Sequence, residues 1–277
     1  MKTGKVAFRA LAFGLYGVGL LYYPCWLKAE APDARVSNKR QELSYAAPKI
    51  VVNVVARRLR VYDEHGSLVV EYPVAVGSPE YKTPLGKREL GQIVWNPWWY
   101  PPKSTWAKHE RITPPGEHNP LGPVKMKLDG DIMFHGTNKP GSVGKAASHG
   151  CMRLHNDDAK KLANWLQSKV MGTTSNGFFE KVEQSRTKSF YVQLEHPIPV
   201  HIVYNLVEIK GGKLHMYGDV YHKTFNRMGE IEKYLKSNGY QVKEVHWDVV
   251  TKKLKAAHGH EDLEFSLEEI GVKDKVL

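Results

Sequence analysis

Three runs rich in β-branched residues lie close together near residue 50, and they constrain the fold more than any other feature of the chain. Residues 50–55 and 59–62 are separated by a short connection, and the turn-forming segment 63–66 leads into residues 67–76. Runs of this composition bounded by turn residues are typical of β-strands. We therefore predict a β-meander here, and a mainly β fold with a few helices for the folded part of the chain.

Turn signals and periodicity predict the next elements. Residues 124–128 and 131–135 flank Asp129-Gly130, a strong two-residue hairpin signal, which would put residue 135 at the end of a strand. Residues 78–122 carry many Pro, Gly and Trp residues without a clear period, and we interpret them as a long loop with short strands, such as a lid.

The second half of the chain shows mixed periodicity. Asn156 is predicted to cap an amphipathic helix that ends at Gly172, and residues 173–189 are predicted to be a loop. Further predictions are a strand over 200–206, a turn at Gly211-Gly212, a helix over 228–238, a strand over 240–247 and a helix over 248–257.

The N-terminus has the features of a targeting segment. Lys2, Lys5 and Arg9 precede the uncharged, mostly apolar residues 10–27, which would span about 27 Å as a helix. We interpret residues 1–31 as a cleaved signal peptide or an uncleaved membrane anchor, and the polar residues 32–47 as a linker. Either alternative places the rest of the chain outside the cytoplasm, with membrane contact only through residues 10–27 if they stay uncleaved.

Charge indicates the kind of partner to expect. The 277-residue chain carries a formal net charge of +11, which favours anionic partners. Its basic residues are scattered rather than clustered, and no nucleic-acid-binding motif is present, so we expect no nucleic-acid partner.

The chain has two cysteines, and Cys25 lies in the apolar N-terminal segment. Cys151 is therefore the lone thiol of the predicted folded part, and a lone cysteine near histidines is a candidate nucleophile. The thiolate is the reactive form of cysteine, so a base must remove the thiol proton, and an imidazole can serve as that base. His135 and His149 are both candidates on sequence grounds alone.

Other interpretations of these residues remain open. A zinc site is one alternative, although the spacing matches no common zinc pattern; its ligands would be His135, His149, Cys151 and His155. An inert structural cysteine is another. Arg153 suits a substrate carboxylate, but a structural salt bridge explains it equally well.

The turn before the cysteine also suggests a function. Gly150 removes a side chain next to the nucleophile, so backbone N–H groups can approach a developing oxyanion. We expect His149 to shape this turn, and we place Ser148 with Arg153 among the substrate-binding residues. A cluster of aromatic residues either contacts substrate or packs a loop onto the core; its members are Trp95, Trp98, Trp99, Tyr100 and Trp106.

Several motifs in order carry a family resemblance. His135-Gly136-Thr137, followed by residues 148–154 (SHGCMRL), is similar to the active-site signature of the YkuD-like L,D-transpeptidases of bacterial cell walls. Further similar segments are residues 50–77, 83–87, 197–204 and 218–221, and, for the diderm periplasmic branch, 94–99 and 114–122. The resemblance covers residues 48–225, a predicted catalytic domain, and leaves 226–277 as a small α/β extension.

This resemblance implies roles for the site residues. Cys151 would be the nucleophile and His135 the general base, with the backbone carbonyl of Gly136 holding the imidazole in its tautomer. The N–H groups of Gly150 and Cys151 would bind the oxyanion. No metal or organic cofactor is implied.

The resemblance also implies a reaction. The thiol would attack a tetrapeptide stem of peptidoglycan, release D-alanine and pass the acyl group to an amine, giving a diaminopimelate–diaminopimelate cross-link. The acceptor could equally be a lysine of an envelope lipoprotein or water, the latter making the protein an amidase or carboxypeptidase. A non-catalytic envelope-binding protein with the same fold is the alternative from another class. Carbapenems would acylate the same thiol.

Overall fold

The computed structural model describes residues 48–128, 130–172, 176–185, 187–257 and 261–273. The predicted signal or anchor, the linker, Cys25 and Asp129 lie outside these ranges. Within them, every helix falls short of the length and apolar content that a membrane span requires.

The described residues form strands and helices in mixed order. The strands are β1 (Lys49–Asn53), β2 (Arg58–Tyr62), β3 (Leu68–Pro73), β4 (Val76–Gly77), β5 (Gly86–Trp95), β6 (Val124–Leu128), β7 (Met133–His135), β8 (Ala146–Ser148), β9 (Met152–Arg153), β10 (Phe190–Val203), β11 (Val207–Lys210), β12 (Lys213–Met216) and β13 (Leu263–Ser266). The α-helices are α1 (Asn156–Met171), α2 (Asn176–Gln184), α3 (Arg227–Ser237) and α4 (Trp247–Ala256), and a single 3₁₀ turn at Thr105–Ala107 matters for the site.

A large mixed sheet organises the first part of the chain. Its strand order is β3-β2-β1-β10-β5-β6-β7-β9. The pairs β1–β10 and β7–β9 are parallel and the other neighbours are antiparallel. The predicted meander and the hairpin between β6 and β7 are confirmed, and so is the β-rich fold class with a few helices.

Strand β5 is a ten-residue strand, where only short strands within a long loop were predicted over residues 78–122. It occupies a central position, paired with β10 on one side and β6 on the other. Ile93, Val94 and Trp95 are all buried, so this end of the strand is apolar on both faces and shows no alternation. Its other end begins at Gly86 and carries charged residues. The sequence of this strand therefore lacks the apolar–polar alternation from which a strand is predicted.

Two predictions around α1 and α2 are also wrong. The N-cap residue of α1 is His155, with extended backbone angles, and Asn156 is the first helical residue. Residues 176–184 form α2 rather than a loop; its Phe178 and Phe179 pack on the core through Trp95. Gly172, with φ of 77°, ends α1 as predicted.

A second, smaller core follows the large sheet. Strands β11, β12 and β13 form a three-stranded sheet, and α3 and α4 pack with it around Leu214, Ile231 and Phe265. This core contains residues from both sides of the predicted domain boundary between residues 225 and 226. The boundary itself stays a prediction.

Local predictions for this second part had mixed outcomes. The turn at Gly211-Gly212 and the helices α3 and α4 are confirmed. The predicted strand over residues 240–247 is wrong, because the chain there is irregular until α4 begins at Trp247. Its apolar residues are anchored individually: Val245 is buried, and the neighbouring His246 amide donates to the Ile270 carbonyl at 2.9 Å.

Candidate active site

The site lies where β7 and β9 run side by side at one edge of the large sheet. The two strands are parallel, with Phe134 opposite Met152 and His135 opposite Arg153. Phe134 and Met152 are completely buried in the core. Because side chains alternate along strands, His135 and Arg153 project from the other face, and Cys151 lies just before β9.

His135 is held as a neutral imidazole. Its side chain is only 5% exposed, and its Nδ1 lies 2.6 Å from the carbonyl oxygen of Gly136. A carbonyl can only accept a hydrogen bond, so Nδ1 carries the proton and Nε2 has the free lone pair. Burial lowers the pKa of His135 to about 4, the Gly136 carbonyl opposes this shift, and the cationic Arg153 and Lys125 add to it.

Close packing explains why residue 136 is glycine. A Cβ atom there would lie 2.4 Å from the side-chain oxygen of Asn156 and 2.9 Å from the ring of Pro123. That same Asn156 oxygen accepts a hydrogen bond from the Thr137 amide at 2.7 Å. The Asn156 side chain thus fastens the segment after His135 to the start of α1, a role that sequence analysis mistook for a helix cap.

Cys151 is a free, partly exposed thiol. Its sulfur lies 3.6 Å from the backbone carbonyl oxygen of Asp131. Burial raises the pKa of the Cys151 thiol, the Met133 backbone and the Arg153 guanidinium lower it, and the Asp131 carboxylate raises it further. Since the pKa of His135 is lowered, thiol and imidazole are both neutral at pH 7, and a proton must move before sulfur can attack.

The turn that presents Cys151 is stabilised internally. The Ser148 hydroxyl donates to the Cys151 carbonyl at 2.5 Å and accepts from the Gly150 amide at 3.1 Å. Gly150 adopts a φ of 108°, a backbone conformation that residues other than glycine rarely adopt. Ser148 is 2% exposed, and both of these hydrogen bonds lie within the turn, so the Gly150 amide already has an acceptor. The role of Ser148 in binding substrate stays a prediction.

Thr83 holds this turn from outside. Its hydroxyl donates to the Gly150 carbonyl at 2.9 Å and accepts from the Gly77 amide at 2.8 Å. Its own amide donates to the Tyr221 hydroxyl at 2.9 Å. Residues 83–87 were predicted only as a segment similar to the family, and Tyr221 was not predicted as a contact of the site. The Thr83-Pro84 motif was the nearest signal in the sequence. No feature close to it along the chain indicates that Thr83 contacts residues 150 and 221.

His149 packs between aromatic rings. Trp106 stacks on it with ring centroids 3.8 Å apart and planes 4° from parallel, and Tyr81 meets it edge-on at 4.7 Å. Burial lowers the pKa of His149, as do Arg153 and Lys139. These contacts support the expectation that His149 shapes the turn. They also show that Trp106 packs its loop onto the site.

Asn119 organises the connection between β5 and β6. It is fully buried, and its side-chain amide donates to the carbonyls of Pro97, Thr113 and Pro114 at 2.8–3.2 Å. This internal scaffold supports the loop from which Trp106 reaches His149. The irregular part of the predicted lid is therefore shorter than predicted, but it does lie against the site.

Arg153 is oriented by neutral oxygens. Its Nη1 donates to the Ala147 carbonyl at 3.2 Å and lies 3.5 Å from the Ser142 hydroxyl. Burial lowers the pKa of Arg153, and the nearby Cys151 raises it. For the zinc alternative, no group of three or more His, Cys, Asp and Glu side chains arranged to hold a metal occurs in the described ranges.

Fold and site together place a free thiol and a neutral imidazole at one edge of the sheet. A family model described as the L,D-transpeptidase catalytic domain, YkuD, matches residues 47–200, more than half of the 277 residues. The chain belongs to this family. The match ends before β11, so the second core lies beyond it apart from Val55.

Named relatives agree with this assignment. The chain is 27% identical over 160 residues to the probable L,D-transpeptidase YbiS of Escherichia coli strain K12, covering 54% of this chain and 51% of that protein. It is 31% identical over 180 residues to YqjB of Bacillus subtilis strain 168, which also carries an L,D-transpeptidase name, covering 62% of this chain and 91% of that protein. A crystal structure of L,D-transpeptidase 3 from Mycobacterium tuberculosis matches 57% of this chain and 61% of its own, with 14% identity and a TM-score of 0.39. The chain spans about half the length of YbiS.

Proposed function

We propose that this protein is a cysteine L,D-transpeptidase that acts on the tetrapeptide stems of peptidoglycan. The observation that carries the proposal is the Cys151 thiol at the same sheet edge as His135, a buried imidazole whose Nδ1 lies 2.6 Å from the Gly136 carbonyl oxygen. This contact leaves Nε2 of His135 as the nitrogen that takes the Cys151 proton. Membership of the YkuD family supplies the reaction class.

The first half-reaction is acylation. The Cys151 thiol gives its proton to Nε2 of His135 while sulfur bonds to the carbonyl carbon at the L-centre of the diaminopimelate residue. The tetrahedral intermediate collapses, the bond to the terminal D-alanine breaks, and the imidazolium returns its proton to the leaving nitrogen. A thioester on Cys151 and free D-alanine result.

The oxyanion of this intermediate requires a backbone donor. The Gly150 amide is engaged by the Ser148 hydroxyl, which leaves the Cys151 amide as the donor that we assign to this role. A single donor of this kind contributes about 10²–10³ in rate. Ser148 and Thr83 then act as positioning residues, because both bind backbone groups of the turn that carries this amide.

The second half-reaction transfers the acyl group. An amine of a second stem loses a proton to neutral His135 and attacks the thioester, which expels the Cys151 thiolate and forms a new amide. A lipoprotein lysine in the same position would give an attached protein, and water would give a tripeptide. We favour a stem as acceptor. We place Arg153 beside the substrate, since its guanidinium is near enough to Cys151 to lower the pKa of the thiol.

The proposed substrate requires export. The basic start and the uncharged residues 10–27 support transport to the periplasm. We propose that residues 32–277 work there, in the manner of the diderm periplasmic branch. N-terminal sequencing of the protein from fractionated cells distinguishes a cleaved signal from an anchor.

The reaction is tested with purified tetrapeptide muropeptides and mass spectrometry. Cross-linked dimers with loss of D-alanine support a transpeptidase, and tripeptides without dimers indicate water as acceptor. Cys151→Ala should give neither product while binding the stem. No product from the wild-type protein, together with retained stem binding, would favour the non-catalytic alternative.

A further inference from the structure

Two cationic side chains flank the neutral His135 imidazole on the active-site face of the sheet. Lys125 on β6 lies opposite His135 on β7, and His135 lies opposite Arg153 on β9. Their chain neighbours Met126, Phe134 and Met152 are completely buried on the core side. Side chains at paired positions share a face, and neighbouring strands are about 4.8 Å apart, so Lys125 stands directly beside the imidazole.

Lys125 is an unusual surface lysine because it is half-buried without a compensating charge. Burial lowers its pKa, and the charged group that affects it most is another ammonium, that of Lys127. In the part of the chain that the structure describes, no carboxylate forms an ion pair with Lys125 or Arg153. Partial burial of an unpaired ammonium is unfavourable, and a bound carboxylate would relieve that penalty.

The chemistry of the proposed reaction places a carboxylate at this point. His135 returns its proton to the nitrogen of the leaving D-amino acid, whose α-carboxylate is two bonds from that nitrogen. The carboxylate must therefore lie close to the imidazole. Cys151 and Arg153 occupy the β9 side of His135, and Lys125 occupies the β6 side.

We propose that Lys125 binds the α-carboxylate of the leaving D-amino acid and thereby makes the enzyme selective for stems that end in a free carboxylate. This inference rests on the proposed function. The ammonium donates to the carboxylate while His135 protonates the adjacent nitrogen, and the selectivity for the C-terminal residue resides in this contact.

The test compares two substrates: a tetrapeptide stem ending in D-alanine and the same stem ending in D-alaninamide. The wild-type protein should prefer the free acid in kcat/KM by roughly 10- to 100-fold, the usual worth of a hydrogen bond to a charged group. Lys125→Met should abolish this preference, so that the ratio of kcat/KM for the acid to kcat/KM for the amide falls to about 1. Lys125→Arg keeps the charge and should restore part of the preference.

Lys127→Met is the matched control, because Lys127 lies on the same strand and face but is exposed and stands opposite Met133. It should keep the wild-type preference. An equal loss on both substrates in Lys125→Met would overturn the inference, since Lys125 would then act through His135. Unchanged selectivity in Lys125→Met would also overturn it.

Failure of the proposed reaction is recognised separately. If the wild-type protein turns over neither substrate, the proposed function fails, and the binding of both peptides to Cys151→Ala is measured by calorimetry instead. Tighter binding of the acid that disappears in Cys151→Ala/Lys125→Met supports the carboxylate site. Equal binding of acid and amide refutes it.

Discussion

Thr83→Val is the substitution that most directly tests how the nucleophile is positioned. Valine has nearly the shape of threonine, so it fills the same space, which is 1% exposed. It removes the hydroxyl that donates to the Gly150 carbonyl and accepts from the Gly77 amide. Two backbone groups beside the catalytic turn lose their partner without any cavity being formed.

The magnitude follows from those two hydrogen bonds. A buried backbone group left without a partner costs about 1–3 kcal/mol, so two of them should lower the free energy of unfolding by roughly 2–6 kcal/mol. Thr83→Ser keeps the hydroxyl and should lose little of this. Tyr221→Phe removes only the acceptor of the Thr83 amide and should lose about half as much as Thr83→Val.

The assay pairs urea unfolding with kinetics. The free energy of unfolding gives the structural effect, and the rate of Cys151 alkylation by iodoacetamide under folding conditions reports the geometry of the turn. In Thr83→Val we expect kcat to fall more than KM rises, with recovery in Thr83→Ser. A Thr83→Val protein within about 0.5 kcal/mol of wild type and with unchanged kcat would refute the reasoning, because that is the scatter expected of ordinary surface changes.

Three further predictions concern the reacting groups. His135→Ala should lower kcat about 10²–10⁴-fold, the range for a lost general base, and His149→Ala should lower it less; muropeptide turnover measures both, and the reverse ranking would assign the base to His149. Because burial lowers the pKa of His135 to about 4, the imidazole stays neutral as pH falls from 7 to 5, so kcat/KM should be retained there and fall only as pH approaches 4; an acidic limb near 6.5 in the pH profile would contradict this. A carbapenem should add once per chain, at Cys151, as seen by intact-mass spectrometry, and an adduct that persists in Cys151→Ala would show that another nucleophile reacts.

Features that depend on neighbouring residues were predictable from the sequence. The meander β1–β3 and the hairpin β6–β7 follow from alternation and turn residues, and Gly172 marks the end of α1, because these signals act over a few positions along the chain. The lone thiol and two histidines likewise narrowed the candidates for the nucleophile and the base. Strand β5 was missed because burial on both faces erases the alternation that identifies a strand.

The tertiary structure decided what burial and long-range contacts control. The register of β6, β7 and β9 places Lys125 and Arg153 on either side of His135. Thr83 reaches Gly150 and Tyr221 across 67 and 138 residues of chain. The neutral state of His135 follows from removal of its imidazole from water. Periodicity does not encode desolvation or contacts between distant residues, because both arise only when the sheet has assembled.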